Sequence, residues 1–143
     1  MVRRVSSGAD MAVYARSQAS QRLARFAFEF RRAAGSRDAE AVHDLRVAIR
    51  RLSECLKIFG PFFAPRESRK IRRKLRKIMD RAAGVRDRDV GIALLREAGL
   101  SGKSRIAGLL AAERRRAEAK LVSMLKRWNR REYSAKWRTR LGL

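Results

Sequence analysis

Only two prolines, Pro61 and Pro65, occur in 143 residues, and they bracket one short turn, GPFFAP. Proline fixes φ and removes a backbone donor, so its near absence leaves almost the whole chain free to be helical. The rest is rich in Ala, Leu, Arg, Lys and Glu, and its apolar residues recur with helical spacing. The expected helices run from about Asp10 to Ala34, Asp38 to Phe59, Arg66 to Ala83, Asp87 to Ala98, and from after Ser101-Gly102 to about Trp128. A ragged sixth segment, REYSAKWRTR, follows. Gly35, Gly60-Pro61, Gly84 and Gly99 are the expected stops. No strand pattern stands out; FAFEF alternates, but Phe26 and Phe30 read better as an i, i+4 helical pair. Connections this short join antiparallel neighbours, so the expected fold class is all-α, an antiparallel bundle of about five to six helices. Residues 9–143 form one expected domain, and residues 1–8 an expected disordered start.

Charge constrains what such a bundle can meet. There are 37 Lys and Arg against 14 Asp and Glu, a formal net charge of +23. Such a field repels itself in the compact state and is relieved by a polyanion. Nucleic acid, an anionic membrane and polyphosphate are the candidate classes. One Cys, Cys55, allows no intramolecular disulfide framework, and with a single His it makes no zinc set; it reads as a small core residue. The start, MVRRVSSGADMAV, lacks the apolar core of a signal peptide, and no apolar run reaches membrane-span length. A reducing cytoplasm is the expected compartment.

The second expected helix carries the sharpest pattern. Val42, Leu45, Ile49, Leu52, Leu56 and Phe59 share a core face, while His43, Arg46, Arg50 and Lys57 form a stripe at i, i+3, i+7 and i+14, bordered by Glu54. A solvated basic face and a binding stripe are both open readings: basic faces are commonly just solvated, but this stripe holds the chain's one His and no acid at its own angle, where a merely solvated face would usually mix signs. On the third helix Ile71, Leu75, Ile78, Met79 and Ala82 are the core face. Lys70, Arg73, Lys74, Lys77 and Arg81 make one flank, and Arg69, Arg72 and Arg76 the other; the five-residue flank is the preferred ligand face. After it comes GVRDRDV, where Gly84 suits a C-cap and Asp87 or Asp89 an N-cap, or an orienting partner for an arginine, with Arg86 open to either role.

HDLRVAIRRL (His43 to Leu52), followed by GVRDRDV (Gly84 to Val90), resembles the CHAD domain, the conserved-histidine α-helical domain, over about Ala9 to Trp128. The resemblance implies a helical domain that binds inorganic polyphosphate through a basic central groove, often at polyphosphate granules and sometimes fused to triphosphate-cleaving tunnel domains. By position, His43, Arg46, Arg50 and Arg51 match the family's helix motif and Arg86, Asp87 and Asp89 its turn. Ser53 departs, standing where many members have Arg. The family domain has two similar helical halves; this chain has one such helix and resembles a single half. A homodimer is therefore expected to supply the groove's second wall, with Phe62, Phe63, Trp128 and Trp137 as candidate interface anchors.

No enzyme is expected: no base stands beside a nucleophile, no carboxylate pair shares a face, and there is no phosphate-cradling glycine loop, metal set or cofactor site. Non-specific nucleic-acid binding is the runner-up, weakened by basic stripes without interleaved aromatics for base stacking. A membrane role ranks third, because the apolar stripes are needed inside the bundle.

Overall fold

A computed structural model describes residues 8–36, 38–129 and 131–143. Among them are five α-helices: α1 (Gly8–Gly35), α2 (Ala39–Ile58), α3 (Pro65–Glu97), α4 (Arg105–Asn129) and α5 (Tyr133–Leu141). A 3-10 turn over Gly60–Phe62 links α2 to α3. The expected disorder of residues 1–8 lies outside the described residues except at Gly8, which is helical.

Local chemistry sets most ends. Asp38 caps α2 by accepting from the Glu40 amide at 3.1 Å. Pro65 opens α3, where a missing N–H costs nothing. Gly99 takes positive φ just past α3, and the Leu100 amide donates to the Leu95 carbonyl, closing the helix end.

Neighbouring helices are α1–α2, α2–α3, α3–α4 and α4–α1, with α5 against α1 and α3. The α1–α2 pair is antiparallel: Tyr14 meets Phe59, and Arg32 reaches Asp44 at 2.6 Å. The core includes Leu23, Phe26 and Phe30 of α1, Leu45, Ile49 and Leu52 of α2, Ile71, Leu75 and Ile78 of α3, and Leu121 and Leu125 of α4. Phe26 and Phe30 do pair on one helix face, their centroids 5.7 Å apart. Cys55 is 7% exposed within this core, and burial pushes its thiol pKa up, partly offset by Arg22.

Two expectations are corrected. The third and fourth expected helices are one, since α3 runs unbroken through Gly84. Gly84 is therefore not a C-cap, and Asp87 and Asp89 are helix-interior residues rather than N-caps. A mid-helix glycine costs about 0.5–1 kcal/mol relative to Ala, less than the packing of Val85, fully buried next to it. Arg88 donates to the Gly84 carbonyl at 3.3 Å. A Cβ at Gly84 would meet only Ala117 at 3.9 Å, an ordinary contact. Gly84→Ala is thus expected to stabilise the fold by about 0.5–1 kcal/mol in urea unfolding; a loss of stability would show a broken helix there.

The second correction concerns the aromatic anchors. Phe63 and Trp137 are 5% and 1% exposed, and Phe62 and Trp128 pack partly buried against the core. The chain's own interior occupies them.

Candidate anion-binding groove

Helices α2 and α3 diverge enough at the surface to leave a cleft of about 340 Å³, lined by Ile49, Arg50, Ser53, Glu54 and Lys57 from α2 and by Arg72, Arg76 and Met79 from α3. A second cleft, sharing Lys57 and Arg72, continues it toward the 3-10 turn and adds Arg69. Arg46 lies one turn before Arg50 on the same stripe of α2. Arg86 lies on the stripe that Arg72, Arg76, Met79 and Ala83 trace along α3. From Lys57 to Arg46 the α2 wall is roughly 17 Å long at 1.5 Å per residue.

The acids are spent elsewhere. Glu29, fully buried on α1, is held by Arg25 at 2.7 Å and Arg32 at 3.2 Å, and Arg32 also holds Asp44. Carboxylate neighbours raise the Arg32 pKa, the Asp44 hydrogen bond most. Arg114 of α4 pairs with Asp89 of α3 and with Glu118, all three side chains being less than a fifth exposed. Asp89, in the turn-like motif, thus orients an arginine, but one on another helix. Arg88 meets Glu113, and Arg140 meets Glu67. Of the groove cations Arg46, Arg50, Lys57, Arg69, Arg72 and Arg76, none forms an ion pair with a described carboxylate. Glu54 is the one acid lining the cleft. The Nε–H groups of Arg46 and Arg72 are buried, with no acceptor among the described residues.

The residues singled out from the sequence divide among several surfaces. Arg50 and Lys57 line the α2–α3 groove, and Arg46 continues their stripe one turn earlier on α2. His43 and Arg51 instead line a cleft between α1 and α2 with Arg22, Arg25 and Asp44. Arg86 is half-buried further along α3. The preferred α3 flank does not face α2. Lys74 sits among Lys77, Arg131, Lys136 and Arg140, and desolvation followed by these cations lowers its pKa. Arg81 lines an α3–α4 cleft of mixed sign with Asp80, Arg88, Glu113, Arg116 and Lys120. Lys70 and Arg73 are exposed and line none of these clefts. The flank passed over, Arg69, Arg72 and Arg76, is the one that faces the α2 stripe. Its continuation through Met79 and Ala83 was the available signal, since a flank that turns apolar lies against a neighbour. Arg22 and Arg25 were missed because α1 shows no comparable stripe.

An all-helical domain with a cation-lined cleft between its second and third helices is the class these features define. The chain belongs to the CHAD domain family, whose model matches residues 17–142. No curated protein and no solved structure matches it. No helix among the described residues is long and apolar enough to cross a membrane.

Proposed function

We propose that this chain is a non-enzymatic polyanion-binding module that takes inorganic polyphosphate in the α2–α3 groove. The observation that carries the reading is the line of cations Arg50, Lys57, Arg69, Arg72 and Arg76 along the two clefts, continued by Arg46 on the same α2 stripe, none of them in an ion pair with a described carboxylate. Family membership supports it through the polyphosphate binding that the CHAD resemblance implies. The expected place of action is the cytoplasm, at polyphosphate granules. A linear anion bound by several cations releases counterions, so affinity falls steeply with salt.

Binding without catalysis suits the side chains available. Ser53 opens on the α2–α3 cleft and His43 on the α1–α2 cleft, so nucleophile and base do not meet. Nucleic acid is a competing polyanion, but the exposed aromatics Tyr14 and Phe28 are on α1 and line neither of the groove's clefts. Bases would find no stacking platform there. Both groove walls come from one chain, so a partner copy is not required to close it.

Arginine presents a planar fork to phosphate oxygens, whereas lysine is a point charge. Arg46→Lys and Arg50→Lys are therefore each expected to raise the Kd for long-chain polyphosphate several-fold at constant net charge, read by fluorescence titration. Unchanged constants for both would reduce these residues to sources of field and remove the groove assignment.

A further inference from the structure

Helices α2 and α3 are consecutive, so the GPFFAP turn joins the two walls of the groove at one end. Gly60, Pro61 and Pro65 of this connection line the second cleft, of about 430 Å³. Pro61, Ala64 and Pro65 are exposed, so the turn stands at the surface, level with the groove rather than beneath it. Phe63, 5% exposed, and Phe62 anchor it on the core. The Phe62 amide donates to the Phe59 carbonyl at 3.0 Å and the Phe63 amide to the Gly60 carbonyl at 3.1 Å. With two prolines of fixed φ, these bonds give the turn a set shape. The groove is therefore closed at the turn and runs out in the other direction, past Arg50 toward Arg46.

The closed end gathers positive charge and donors. Lys57, Arg69 and Arg72 line it, none in an ion pair with a described carboxylate. No described acid lines it: Glu54 opens on the neighbouring cleft, and Glu67 faces Arg140 at 3.8 Å. Ser68 is 4% exposed and lines the same cleft, and its hydroxyl has no hydrogen-bond partner among the described residues. The Ala64 carbonyl, one turn back, already accepts from the Ser68 amide at 3.0 Å. Helix α3 starts at this end with no side-chain cap, so the positive end of a 33-residue helix adds to the cations.

We infer that the closed end is a terminal-phosphate site: polyphosphate is held by a chain end, and the phosphates behind it run along the groove toward Arg46. The inference rests on the polyphosphate reading and deepens it. A phosphate inside a chain carries one negative charge, whereas a terminal phosphate resembles a phosphate monoester and carries about −1.5 to −2 near pH 7. Its extra charge and free oxygens match three cations, a hydroxyl and a helix start in one place. An internal segment of the chain would have to rise over the turn to continue, and would leave the cleft below it.

The test titrates the protein with linear polyphosphate and with the same polymer blocked at both ends as neutral phosphoramidates, at one salt concentration. Blocking alters only the two ends of a long polyanion, so a groove that takes any segment hardly distinguishes the two ligands. The terminal site predicts a Kd on the order of tenfold higher for the blocked polymer, the loss of one charge-assisted contact. At equal total phosphate, polymers of about 100 units offer about a fifth as many ends as polymers of about 20, so their apparent Kd per phosphate should be roughly fivefold higher. Ser68→Ala should raise the Kd for the open polymer several-fold and so close most of the gap to the blocked one. Arg69→Gln, at an exposed position, should narrow the gap in the same way with an unchanged far-UV spectrum. Equal binding of open and blocked polymer, each weakened alike by Arg72→Glu with Arg76→Glu, overturns the terminal site and leaves the groove. Binding of neither polymer overturns both readings. A preference for open ends that survives both closed-end substitutions puts the end elsewhere and overturns the inference.

Discussion

Reversing Arg72 and Arg76 to glutamate is expected to weaken polyphosphate binding on the order of a hundredfold, two charge-assisted contacts at roughly a factor of ten each. The same two-residue reversal at Lys74 and Lys77 changes the net charge equally but acts on the far flank of α3, beside Arg131, Lys136 and Arg140. Its expected effect is a few-fold, exerted through the general field and suppressed by salt. Equal losses for the two double variants, measured in the same titration, would mean that diffuse charge rather than the α2–α3 groove holds the ligand. Circular dichroism separates binding from folding, since Arg76, Lys74 and Lys77 are exposed and Arg72 is only half-buried.

Trp137→Ala is expected to cost about 3–5 kcal/mol of unfolding free energy, the usual loss for a large buried aromatic. The indole stacks on Phe26 at 5.7 Å with the planes 9° apart and meets Tyr133 edge-on at 5.0 Å. Burial also pushes the Tyr133 phenol pKa above its ordinary range, first by desolvation. Without the indole, α5 keeps little besides Tyr133, Leu141, the Arg138 bond to Ser20 Oγ at 2.9 Å and the Arg140–Glu67 pair to hold it on the bundle. Denaturant unfolding followed by far-UV signal checks this. An unchanged midpoint would instead show that α5 is held on the bundle without the indole.

Helical periodicity made the bundle legible, because the spacing of Leu45, Ile49, Leu52 and Leu56 dictates a buried stripe whatever lies opposite. It could not show that α3 passes through Gly84. A glycine's local penalty is visible in sequence, whereas the packing of Val85 against the rest of the bundle is not. The groove was half legible. Arg46, Arg50 and Lys57 follow from the α2 stripe alone. Their partners on α3 depend on which side of α3 the second helix lies, a question of bundle handedness that periodicity does not encode. The larger count of cations on the Lys70–Arg81 flank pointed away from α2, because in a chain this basic the number of cations on a flank does not say which flank meets a neighbouring helix. His43 fell to the α1 side for a similar reason. It stands at the crest of α2, and a crest residue can open on either adjoining cleft. Glu29, three residues after Phe26 on the core face, could have been noticed as a buried acid in need of arginines.

The most direct measurement of the central claim is a competition titration of the wild-type chain, with long-chain polyphosphate displacing labelled duplex DNA and labelled single-stranded RNA at matched salt. A groove of unpaired arginines without stacking aromatics should give polyphosphate the advantage, with displacement of both nucleic acids at phosphate concentrations on the order of tenfold or more below their own. Equal or tighter binding of either nucleic acid, per phosphate and at the same salt, would contradict polyphosphate as the ligand.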